Sequence, residues 1–256
     1  MTKPSPSFEV RLAQNDAEIE MAQRLRYDVF VTELGGDGPM VDHTRKIEQD
    51  AFDPFFDHLL LLDHARDGDP VVGVYRLLPS DKMPAIGRYY SEDEYDLSVL
   101  KASGRRVLEL GRSCVHPDYR GGTAMFHLWN GLADYVAWCG IEVMFGVASF
   151  HGTDVQALAQ PLSYLHQNHL ASPDLRVTAK TEHAHRMDVL PPEEIDRKAA
   201  MVQTPSLIKA YLRLGGFVGE GAFIDHAFNT TDVCLIMDTE TMNAKHRAYF
   251  EKRAKT

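Results

Sequence analysis

The sequence predicts an α/β fold: a mixed, mostly antiparallel central sheet flanked by helices, with a helical insertion. Three observations carry this. Two apolar runs flank the turn Asp67-Gly68-Asp69-Pro70 and read as a hairpin. The span Arg106–Ser149 reads strand, helix, strand, a βαβ unit that brings in one parallel pair. Near the C-terminus, Gly221–His226 and Asp232–Met237 read as two more strands, joined through Asn229-Thr230.

In chain order, Phe8–Ala13 alternates apolar and charged residues and predicts the first strand. Asn15 is placed to cap the next helix, with Glu18 as its reciprocal partner. That helix turns Ile19, Ala22, Leu25, Val29 and Phe30 inward and stops at Gly35-Gly36. His58–His64 holds four successive leucines and predicts a buried strand; Val71–Leu78 is the other arm of its hairpin. Pro79–Arg106 is charged and looser. Arg106–Val115 is the central strand. Thr123–Cys139 is an amphipathic helix with Phe126, Trp129, Leu132, Ala133 and Val136 inward, ended by Gly140, and Ile141–Ser149 is the following strand. The proline-broken stretch His151–Met201 reads as an insertion, roughly 151–201, in a single domain spanning 1–256. Pro205–Leu214 is a short helix closed by Gly215-Gly216, and Asn243–Lys255 is a charged helical tail.

A chain of 256 residues can bury a core without staples. A net charge of −10 argues against nucleic acid as a partner, which usually meets a basic face. Three scattered cysteines imply no disulfide framework and no CxxC metal site. The short polar N-terminus has no apolar signal-like region, and no apolar run is long enough to span a bilayer. A cytoplasmic protein with no metal is the expectation.

At Val115-His116-Pro117-Asp118-Tyr119-Arg120-Gly121-Gly122 the chain leaves a strand, turns and enters a helix. Such a turn can be plain connection, or it can offer unpaired backbone N–H groups to a phosphate. The arrangement resembles the acyl-donor loop of GNAT acyltransferases. That resemblance implies a sheet splayed at its two central strands, with the pantetheine arm entering the cleft. Thr123 and Met125 stand where the loop usually has small residues. This favours the single phosphate of carrier-protein phosphopantetheine over the pyrophosphate of coenzyme A.

A second resemblance points the same way. Arg26 with Phe30, Asp50 with Asp53, Arg76, and Glu109 with Arg112 resemble in order and spacing the motifs of acyl-homoserine-lactone synthases. Those synthases have a tryptophan where Gly36 stands, which argues against the lactone product. Over Phe8–Met242 the chain resembles the ornithine Nα-acyltransferases of ornithine-lipid synthesis, on Leu108–Gly122, Leu207–Gly215 and Thr230–Cys234. Hemolysin-like acyltransferases share much of this. The resemblance implies transfer of a long 3-hydroxyacyl group from acyl carrier protein to the α-amine of L-ornithine, giving lyso-ornithine lipid. No cofactor is bound in this reading; acyl-phosphopantetheine is the donor. An amphiphilic product would bring the enzyme into transient contact with the inner-membrane surface, for which Lys245–Lys255 is the candidate segment.

Several site residues follow. Gly111 permits a bulge that would bring Glu109 and Arg112 to one face and turn the N–H groups near Ser113 and Cys114 toward a thioester oxygen. Glu109 is then either the base for the incoming ammonium or a prop paired with Arg76 or Arg112. Arg120 and the backbone of Gly121 and Gly122 would hold the donor phosphate, and Val115, where that turn starts, is a substrate-side residue. Tyr211 either protonates the leaving thiolate or packs beside Leu207 and Leu214. Asp50 and Asp53 either recognise the acceptor's ammonium groups or order the N-terminal lid. Arg26, Phe30 and Arg76 complete the substrate side. Phe126, Trp129, Met144, Phe145 and Leu165 are candidates to line an acyl tunnel. Lys209 and Arg213, four apart on one helix, are candidates to meet an acidic carrier protein.

Overall fold

The computed structural model describes residues 5–180 and 183–242; the expected tail helix lies outside them. In chain order the elements are β1 (Phe8–Leu12), α1 (Asp16–Arg26), a π-helix (Tyr27–Glu33), β2 (Asp57–Asp63), β3 (Val71–Pro79), β4 (Tyr95–Asp96), α2 (Ser98–Ala102), β5 (Val107–Val115) and α3 (Ala124–Cys139). There follow β6 (Val143–His151), α4 (Ala159–His169), β7 (Thr178–Ala179), β8 (Ala184–His185), α5 (Arg197–Gln203), α6 (Ser206–Arg213), β9 (Phe217–Val218), β10 (Ala222–Asp225) and β11 (Thr230–Asp238). They form two compact units. One comprises the chain up to Leu78 with Leu110–Cys139; the other comprises Pro79–Glu109 and the chain from Gly140. Strand β5 contributes to both.

The first unit explains the leucine run. Strand β2 pairs antiparallel with β1 on one side and β3 on the other. Successive side chains on a strand point to opposite faces. Leu60 and Leu62 pack with Ala22, Leu25 and Val29 of the first helical segment and with Cys114. Leu59 and Leu61 face the other way, where Gly131 and Leu128 of α3 lie close. A strand covered on both faces needs apolar residues at every position, hence four leucines in a row. Each such side chain contributes about 1.5–3 kcal/mol by leaving water. A Cβ at Gly131 would overlap Val10 Cγ1, so this glycine sets the approach of α3 to β1.

Helix α1 starts as its sequence requires. Asn15 Oδ1 accepts from the Glu18 N–H at 3.1 Å. The reciprocal arm differs from expectation: Glu18 accepts from the Gln14 N–H at 2.8 Å and is held by both terminal nitrogens of Arg11. The α-helix ends at Arg26, and the remaining turns to Glu33 are π-helical. Phe126 is another correction. It is 63% exposed, because the buried face of α3 runs through Ala124, Leu128, Leu132, Ala133, Tyr135 and Val136.

In the second unit β5 begins parallel to β6, with Val107, Leu108 and Glu109 opposite Val143, Met144 and Phe145. Strand β6 pairs antiparallel with β11 over nine residues, and β11 carries β10 and β9. The β10–β11 turn passes through Asn229 in the left-handed region. The segment expected as an insertion supplies α4, α5 and the short strands β7 and β8; β8 joins β10 and β7 pairs with β4. The architecture is the mixed, mostly antiparallel sheet with flanking helices that the sequence predicts. Among the described residues no helix is long and apolar enough to cross a membrane.

Candidate active site

Five of the sequence-predicted residues meet in the first unit. Arg26 leaves the last turn of α1, Arg76 projects from β3, and Arg112 from β5. Asp50 and Asp53 come from the irregular stretch before β2. Arg26 Nη1 donates to Asp53 Oδ1 at 2.7 Å, and its Nε donates to Glu48 Oε2. Arg76 Nη1 reaches Asp50 Oδ1 at 2.6 Å and Asp53 Oδ1 at 2.8 Å. Arg112 Nε donates to Glu48 Oε1 at 3.1 Å and its Nη2 to Asp50 Oδ2 at 3.2 Å. Arg76 also lies over the Phe56 ring, 4.5 Å from its centre.

Three guanidiniums therefore face three carboxylates, and burial decides how they behave. Burial alone would raise the Asp53 pKa, but Arg26 and Arg76 outweigh it and hold the carboxyl well below its ordinary range. Glu48 is likewise lowered against its burial, chiefly by Arg112 and Arg26. His58, buried beneath, is at 3.0 Å from the Asp53 carbonyl; burial lowers its pKa and keeps it neutral at pH 7. Gln23 Nε2 completes Asp53 at 2.9 Å. Glu48 and Gln23 were missed from sequence. The available signal was charge balance: three motif arginines stand against two motif aspartates, and Glu48 stands two residues before Asp50.

Side-chain exposure separates two roles. Arg26, Arg76, Glu48 and Asp53 are 0–5% exposed, whereas Asp50 is 18% and Arg112 15%. Only that edge of the cluster reaches the surface. Arg112 has φ of 50°, a left-handed conformation that costs a non-glycine residue on the order of 1–3 kcal/mol. The left-handed residue of β5 is thus Arg112 itself, next to Gly111, and its guanidinium is fixed by Glu48 and Asp50.

The other candidates of the first unit take different places. Phe30 packs against the α1–β2 core and is half-buried. Cys114 belongs to the same core; burial pushes its thiol up to about 12, which makes it inert as a nucleophile. Ser113 is half-buried, its hydroxyl oxygen enclosed. Val115 accepts from Arg120 Nε at 3.0 Å. Gly121 has φ of 76°, the left-handed step that turns the chain from Arg120 toward α3. The Arg120 fork is engaged by Glu33, at 2.5 and 2.7 Å.

In the second unit Glu109 is 1% exposed. Its carboxylate accepts from the Tyr90 N–H at 2.9 Å and the Ser91 N–H at 2.7 Å, at the start of a short 3-10 turn. Tyr211 is buried on α6, where its carbonyl accepts from the Gly216 N–H at 2.9 Å. Lys209 Nζ donates to the Met201 carbonyl at 3.1 Å, while Arg213 is exposed.

Comparison with known proteins fits this arrangement. Residues 25–130, which carry the arginine–carboxylate cluster and the turn at Arg120, match a family model described as an acetyltransferase (GNAT) domain. The chain is 60% identical over 250 residues to L-ornithine N(alpha)-acyltransferase of Rhodobacter capsulatus, spanning 96% of each. It is 42% identical over 253 residues to the Brucella abortus enzyme of that name, spanning 97% of this chain and 90% of the relative. Two solved structures share the fold. One is the CoA-dependent acyl-homoserine lactone synthase BjaI with SAM and isopentyl-CoA, with a TM-score of 0.52 and 15% identity over 98% of this chain and 90% of that one. The other is FeeM, an N-acyl amino acid synthase from uncultured soil microbes, with a TM-score of 0.51 and 10% identity over 93% and 96%. With nearly full-length identity to such relatives, the chain belongs to the L-ornithine N(alpha)-acyltransferase family.

Proposed function

We propose that this protein acylates the α-amine of L-ornithine with a long 3-hydroxyacyl group from acyl carrier protein, forming lyso-ornithine lipid. The observation that carries the acceptor is the 60% identity over 96% of the chain to a relative of that name. In the reaction the neutral amine attacks the thioester carbonyl. A C–N bond forms, the C–S bond breaks, and the amine's proton ends on the departing pantetheine thiol. Binding both reactants in attacking geometry supplies much of the rate, so no covalent enzyme intermediate is needed.

The exposed edge of the arginine cluster suits the acceptor. Arg112 would meet the ornithine carboxylate and Asp50 an ammonium group, while Arg26, Arg76, Glu48 and Asp53 hold that edge in place. The strand residues Ser113 and Cys114 supply N–H groups for the thioester oxygen in this reading. Glu109 acts as the prop: its carboxylate fixes the Tyr90–Ser91 turn through two N–H bonds. Work in the cytoplasm with transient contact at the inner-membrane surface completes the reading.

Purified protein should form N-acylornithine when given 3-hydroxyacyl carrier protein and ornithine, with lysine, arginine and homoserine as competitors. Acylation of lysine or homoserine compounds but not ornithine would overturn the acceptor. Equal kcat/KM for acyl carrier protein and acyl-CoA at low salt would overturn the donor.

A further inference from the structure

The π-helix ends with Glu33 gripping Arg120 by both carboxylate oxygens, at 2.5 and 2.7 Å. The two residues are 87 apart in sequence, and both remain accessible, with side chains 36% and 43% exposed. Arg120 Nε is also committed, to the Val115 carbonyl at 3.0 Å. A guanidinium has five N–H donors, so three are engaged and two remain. Glu33 takes the parallel pair that would match two oxygens of one phosphate, so the two that remain point in different directions and each offers a single bond.

The charge around this turn is not that of a polyanion site. Arg66 and Arg120 are the cations that act on neighbouring His116, against Asp118 and Asp28. Glu33, neutralising Arg120, leaves the turn with an acidic majority. A phosphodiester of a single negative charge can still take a single bond from one remaining N–H group. A donor bearing pyrophosphate and a further phosphate brings several more negative charges toward the Glu33 carboxylate.

We propose that Glu33 is a charge filter on the acyl donor: by occupying Arg120 it admits one phosphate at the turn and repels the polyanionic end of acyl-CoA. This makes Glu33 a specificity-determining residue, and it rests on the reading that the Val115–Gly122 turn receives the donor's phosphate. The selection is electrostatic and lies at an exposed rim, so salt weakens it.

The test compares acyl-CoA with acyl-pantetheine, which carries no phosphate, in wild type, Glu33→Gln and Glu33→Asp. The quantity is the ratio of kcat/KM for acyl-CoA to that for acyl-pantetheine. In Glu33→Gln at low salt the ratio should rise by about tenfold, and the rise should shrink as salt increases. Glu33→Asp keeps the charge and should keep the wild-type ratio. An unchanged ratio in folded Glu33→Gln, or an equal rise in Glu33→Asp, would overturn the filter. The wild-type preference between acyl carrier protein and acyl-CoA is measured separately, so a failed carrier-protein reading shows there and not in this ratio.

Discussion

Arg26 and Asp53 form an ion pair at 2.7 Å with side chains 0% and 5% exposed, linking the end of α1 to the segment before β2. The same Asp53 oxygen accepts from Arg76 at 2.8 Å. One carboxylate thus neutralises parts of two buried cations. Two long side chains that would be costly to bury alone become a rigid support for Arg112 and Asp50.

Removing that carboxylate should be strongly destabilising. Asp53→Asn keeps the shape but leaves Arg26 and Arg76 short of negative charge, which costs about 3 kcal/mol. Urea unfolding would show it as a lower midpoint at unchanged slope. A loss under about 0.5 kcal/mol would mean that the cluster is not a stabilising unit.

The pH response follows from the same pair. Asp53 and Glu48 have folded pKa values below their unfolded ones, because ion pairing outweighs burial. Groups lowered in this way contribute stability that is fully present above the unfolded carboxyl range, near pH 4, and lost as pH falls through the folded values. Unfolding free energy should therefore fall steeply below about pH 4, and the slope should be shallower in Asp53→Asn. Parallel curves for the two proteins would contradict this origin.

Gly131 tests the packing of α3. A methyl at this position overlaps Val10 Cγ1 and approaches Leu59. Gly131→Ala should cost about 1–3 kcal/mol, despite alanine's better helix propensity. Adding Val10→Ala should return part of that loss, as a double-mutant cycle would measure. A stabilised single variant would show that α3 can shift without penalty.

Glu109 separates propping from proton transfer. Glu109→Gln places an NH2 group where one of two backbone N–H donors is now accepted. The expected result is a stability loss of about 1–3 kcal/mol. In the folded fraction, turnover should fall by less than the roughly 10²–10⁴ that loss of a general base brings. A fully stable variant with turnover down a thousandfold would assign the base role instead.

The sequence by itself determined the longer strands and the α3 helix. The leucine run, the turn at Asp67–Pro70, the helix start at Asn15 and the stop at Gly140 are local signals, each set by residues a few positions apart. It also placed Arg26, Asp50, Asp53, Arg76 and Arg112 in one site, through motif order, and the family through resemblance along the whole chain. What tertiary structure decided is how these charges pair. Glu48 joins Arg26 and Arg112, which lie 22 and 64 residues away, and charge balance alone does not say which arginines it meets. The burial of Glu109 against Tyr90 and Ser91, the grip of Glu33 on Arg120, and the outward turn of Phe126 are of the same kind. Each depends on which segment folds against which, so the partners of a charge are fixed only when distant strands and helices come together and exclude water between them.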